Sequence, residues 1–79
     1  MSAPSLSRLP AAQQRVLDAI HAHMAEHRIP PTVREVAAAV GRSASTTTWN
    51  LDQLVAKGYL HRQPGVARGL FLADPVAAP

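Results

Sequence analysis

The 79 residues suffice for one small domain, and 47% hydrophobic against 16% charged residues is globular rather than disordered composition. No cysteine is present, which excludes disulfides and thiolate metal sites, and no apolar run is long enough to span a bilayer. Eight basic residues against five acidic ones leave a net charge of +3, and all the basic residues but Lys57 are arginines, the side chain best suited to paired contacts with phosphate or guanine.

Taken in chain order, residues 1–8 mix Ser, Ala and Pro and read as a flexible arm. Val16, Leu17, Ile20 and Met24 recur at helical spacing and predict a first helix over Ala11–His27, with Pro10 at its first turn and Ile29-Pro30-Pro31 ending it. A second helix is predicted over Val33–Val40. Thr32 and Glu35 form a T-x-x-E capping box at its start, Val33, Val36, Ala37 and Val40 line its buried face, and Gly41 stops it. The third helix is predicted over Ala44–Lys57, between the N-cap Ser43 and the stop Gly58. Thr47, Leu51, Leu54 and Val55 share its inner side, so Ser45, Thr46, Trp49 and Gln53 point away from the core.

After Gly58 the apolar period changes from 3.6 to 2. Tyr59–Arg62 and Leu70–Leu72 are two strand candidates, with Pro64-Gly65 and Gly69 supplying turn chemistry between them. Residues 73–79 form a Pro/Ala tail, read as disordered. The expected fold over residues 9–72 is therefore mainly α with a small β-hairpin (α+β). Because a very short turn at Gly41-Arg42 joins the second and third helices, the order is that of a three-helix winged helix-turn-helix.

The string Pro30-Pro31-Thr32-Val33-Arg34-Glu35-Val36-Ala37, followed by Val40-Gly41, resembles the DNA-binding domain of the LexA repressor family. Arg42-Ser43, Leu51, Leu54, Lys57-Gly58 and the wing sequence Pro64-Gly65-Val66-Ala67-Arg68-Gly69 continue the likeness, as do Gln13-Gln14 and the Leu17/Ile20 stripe upstream. The resemblance implies a module that lays its third helix in the major groove of duplex DNA. Carried over by position, the base-reading residues are Ser45, Thr46, Thr48 and Trp49. Arg42 and Ser43 take the family's backbone-contact positions, and Arg62 and Arg68 bring the wing to a phosphate or a neighbouring groove. With only a tail after Leu72, the module is expected to stand alone, without the family's Ser-Lys self-cleaving domain and the dimer contacts that domain makes. The base-reading residues differ from the family's usual ones, so its operator is not transferred.

Individual residues leave alternatives open. Trp49, the single tryptophan, suits thymine methyls or sugars in a groove, a protein partner, or packing down on the wing or the edge of the second helix. Ser45-Thr46-Thr47-Thr48 is poor helix material, a local conflict that fits a functional surface or an ordinary polar helix start. Arg34 reaches the DNA backbone from the second helix or pairs with a nearby carboxylate, and Arg28 complements the dipole of the first helix. Asp52 is an unfavourable charge if DNA comes close. His23 and His27 stand at i, i+4, but no third ligand on that face completes a metal set. No phosphate loop, nucleotide fingerprint or activated nucleophile is present, so neither catalysis nor a cofactor or small-molecule ligand is expected.

The sequence thus predicts a soluble, cytoplasmic, nucleoid-associated regulator of bacterial or phage type, a repressor that binds double-stranded DNA and pairs as a homodimer on a repeated half-site. The competing reading is a winged-helix protein–protein adaptor that regulates another DNA-binding protein, with Trp49 as its anchor.

Overall fold

The computed structural model describes residues 9–63, 65–66 and 68–72; the expected arm at 1–8, the expected tail at 73–79, and Pro64 and Ala67 of the expected turn lie outside the described residues. Helix α1 spans Ala11–His27. Pro10 stands just ahead of it at the N-cap, and its carbonyl accepts the Gln14 amide at 2.9 Å. The helix closes on Arg28, which takes a left-handed φ of 61° and donates its amide to the Met24 carbonyl at 2.9 Å. The stop therefore falls just upstream of the prolines, where the chain turns before Pro30 bars Ile29 from the α region.

Helix α2 spans Val33–Val40 and carries the expected capping box. Glu35 donates its amide to Thr32 Oγ1 at 3.1 Å, and Glu35 Oε1 accepts the Thr32 amide at 2.9 Å. Gly41, at φ 71°, ends α2 in the left-handed conformation that glycine adopts without a Cβ penalty. Helix α3 spans Ala44–Ala56 and begins on Ser43, whose Oγ accepts the Thr46 amide at 3.1 Å. It is one residue shorter than expected, because Lys57 is already the cap residue.

Strands β1, Leu60–Arg62, and β2, Leu70–Leu72, pair antiparallel with Leu60 opposite Leu72, His61 opposite Phe71 and Arg62 opposite Leu70. Tyr59 does not join β1. Its amide donates to the Leu54 carbonyl at 2.9 Å, closing the end of α3, and is thereby withheld from the ladder. The neck of the hairpin is the Gln63 amide donating to the Gly69 carbonyl at 2.8 Å, and a Cβ on Gly69 would stand 2.6 Å from the Gln63 carbonyl oxygen. Glycine is required there by close approach.

Every element contributes to one core. Val16, Leu17 and Ile20 from α1 meet Val36 from α2, Leu51 and Leu54 from α3, Leu60 and Leu70 from the strands, and Leu9. Full burial of one such large aliphatic side chain stabilises by roughly 1.5–3 kcal/mol. Val33, Val40, Met24 and Val55 pack against this core only partly buried. Three helices with an antiparallel hairpin docked through β1 onto α3 make a winged helix. Among the described residues no helix is long and apolar enough to cross a membrane.

Candidate nucleic-acid interface

The N-cap at Ser43 and the inward stripe Thr47-Leu51-Leu54 fix the rotation of α3. That rotation turns Ser45, Thr46 and Trp49 outward, with Trp49 59% exposed, while Thr48 is half-buried. Three hydroxyls and one indole on a single turn and a half offer donors, acceptors and apolar surface together, the mixture that base edges and thymine methyls accept. Gln53, expected to face away from the core, is only half-exposed. Ser43 uses an oxygen lone pair for its cap, so its own O–H still has a hydrogen to donate.

The four arginines expected at DNA divide into two kinds. Arg34 on α2 and Arg42 in the α2–α3 turn are exposed and pair with no carboxylate among the described residues. The other two are engaged within the protein. Arg62 Nη1 donates to Asp52 Oδ1 at 2.9 Å, bridging β1 to α3. This pair is well exposed, a class worth about 0–1 kcal/mol, and it neutralises the one acidic residue on α3 that would repel phosphate. Arg68 donates from Nη1 to Glu35 Oε1 at 2.8 Å, from Nη2 to Glu35 Oε2 at 3.0 Å, and from Nη1 again to the Pro30 carbonyl at 2.9 Å. Expected at a phosphate, its guanidinium is held between the wing and the start of α2.

Glu35 is the hub of that arrangement, and the sequence reading missed its second role. The Arg68 fork, and then the Thr32 amide, hold its carboxyl at about 2, well below the ordinary 4.5, while Glu35 in turn raises Arg68. His23 of α1 faces the same carboxylate, with a buried Nε2 that lies 3.8 Å from Glu35 Oε1 without a hydrogen bond. Its ring stands 4.5 Å from that of His27. Among the described residues, no group of three or more acidic or histidine side chains is placed to hold a metal. An open groove of about 540 Å³ runs along α1 and the end of α2, lined by Arg15, Asp18, Glu26 and Val40 among others, and no α3 residue borders it.

The chain has counterparts among known proteins. The family model described as the LexA DNA binding domain matches residues 6–69. The LexA repressor of Geotalea uraniireducens is 38% identical over 74 residues, which are 92% of this chain and 37% of that protein. LexA repressor 1 of Nocardia farcinica is 42% identical over 77 residues, 91% of this chain and 36% of its own length. The LexA repressor of Limosilactobacillus fermentum is 42% identical over 59 residues, 73% of this chain and 28% of its own. The chain thus spans between 28% and 37% of the length of these repressors. With the model covering most of the residues and the winged-helix architecture in place, the chain belongs to the LexA DNA-binding domain family.

Proposed function

We propose that this domain binds double-stranded DNA through α3 in the major groove and acts in a bacterial transcriptional repressor, the role carried by the names of its relatives. The observation that supports this best is the outward face of α3, where Trp49 stands 59% exposed among Ser45, Thr46 and the half-buried Thr48. These four residues read bases. Arg34, Arg42 and Ser43 hold the phosphate backbone, and Arg62 joins them by exchanging its weak pair with Asp52 for a phosphate oxygen. One module of this size buries roughly 600–1,000 Å² of its own surface on DNA, so useful affinity calls for two copies on a repeated half-site.

The test uses Trp49 as its own probe. Titration with mixed-sequence duplex DNA at low and then moderate salt should change the tryptophan emission, and the change should collapse as salt rises, because phosphate contacts release counterions. Trp49→Ala should then weaken binding to a selected site more than binding to mixed sequence; equal losses would remove Trp49 from base reading. A silent Trp49 together with unbound labelled DNA at low salt would overturn the proposal and favour a protein partner seated on the same indole, an interface that salt hardly affects.

A further inference from the structure

Arg68 bears the guanidinium that the sequence directs to phosphate, yet three short hydrogen bonds hold it to the protein's own groups. Both oxygens of Glu35 receive it, in the planar fork-to-fork geometry that makes an Arg–carboxylate pair strong and directional. Glu35 does not have to be ordered for the purpose, because the Thr32 amide already fixes its Oε1 as part of the α2 cap. The side chains are 39% and 41% exposed, so the pair is not buried; its directionality comes from the fork and from the added Pro30 carbonyl. With a carboxylate 2.8 Å away, the Arg68 charge is locally cancelled toward any approaching phosphate. Arg68 also adjoins Gly69, whose carbonyl closes the neck of the hairpin. The fork therefore joins the wing to the first turn of α2, 33 residues earlier, and through Gly41 to the start of α3.

We propose that Arg68 and Glu35 form a clamp that sets the wing against the helix-turn-helix, making both of them positioning residues for DNA binding rather than phosphate contacts. The clamp rests on the DNA-binding reading, since it presents α3 and the wing to one duplex in a fixed relation. Leu60 and Leu70 keep the strands on the core, but the Gln63–Gly69 end of the hairpin, released from the clamp, samples further orientations, and affinity falls by the fraction of time the competent one is occupied.

Glu35→Gln is the discriminating variant. Glutamine is accepted at this position of a capping box, so α2 keeps its start while the charged fork is lost. Arg68→Lys keeps the charge but not the fork. Both variants, and the double variant, would be titrated in the 79-residue chain with labelled mixed-sequence duplex DNA over a salt series. Exchange of the Gln63 amide, the donor at the hairpin neck, would be followed by NMR without DNA. A competent wing fraction of about one in ten makes each single variant roughly tenfold weaker. The double variant should be no weaker than either single one, because both remove the same contact. The salt slope should stay that of the parent, and the Gln63 amide should exchange several-fold faster in both variants.

A phosphate-bound Arg68 would behave differently. Glu35→Gln would bind as well as the parent or better, Arg68→Lys would retain most of the affinity, and Arg68→Gln would lower the salt slope by about 0.9, the share of one phosphate. That pattern, or an unchanged Gln63 amide, would overturn the clamp while leaving DNA binding intact. A parent chain that binds no duplex at low salt would sink the DNA-binding reading and the positioning role with it, a failure distinguishable from the first because it occurs before any substitution.

Discussion

Thr47 sits on the inner side of α3 with 0% exposure, and its Oγ1 has no hydrogen-bond partner among the described residues. A buried hydroxyl left without a partner carries its full desolvation cost. Valine replaces that hydroxyl by a methyl of nearly the same size. Thr47→Val should therefore raise stability by about 1 kcal/mol in a urea titration. DNA affinity should be unchanged, because Thr47 faces the core while Ser45, Thr46 and Trp49 face outward. A loss of stability would mean that Thr47 Oγ1 is hydrogen-bonded in solution. Asn50 and Gln13 are the other buried polar residues among those described, and neither belongs to an apolar stripe that periodicity could find. Gln13 is matched by Lys57, whose Nζ donates to its Oε1 at 2.6 Å.

At the scale of elements, the close of α1 carries a cost. Arg28 is the only non-glycine residue with positive φ among the described residues, and the left-handed region costs an ordinary side chain about 1–2 kcal/mol. Arg28→Gly relieves that cost but loses about 0.5–1 kcal/mol to added chain entropy in the unfolded state. The balance should raise Tm by a few degrees, read by circular dichroism, with the α1 stop unchanged. A fall in Tm would show that the Arg28 side chain contributes more at this helix end than its backbone costs. Local chemistry of this kind made the elements legible in the sequence. The Thr32/Glu35 box, the Gly41 stop and the period change after Gly58 are all readable within a few residues. The errors were single residues, at Lys57 and Tyr59, where an amide was already committed to a helix cap. The outward face of α3 was legible for the same reason, since a helix with a known inner stripe has a known outer one. The pairing of Arg68 with Glu35 was not, because residues 33 positions apart meet only after the hairpin docks. The same holds for Arg62 and Asp52, where β1 has to lie against α3 before the charges come within reach.

For the molecule as a whole, the fork at Glu35 links stability to pH. Its folded carboxyl titrates at about 2 against an ordinary 4.5, so the unfolded chain binds the extra proton first as acid is added. The Glu35 contribution is present above pH 4.5 and is lost as pH falls toward 2. Urea midpoints measured between pH 6 and pH 2.5 should fall for the parent chain and fall less for Glu35→Gln. Parallel curves would show that Glu35 is not preferentially ionised in the folded state. A different long-range tie spans 44 positions, from Gln13 at the start of α1 to Lys57 at the end of α3. Lys57 is the only lysine in the chain, so an acylating reagent aimed at side-chain amines has a single target. That amine is exposed and gives one of its three hydrogens to Gln13 while α1 and α3 are together, so its acylation should quicken when they part.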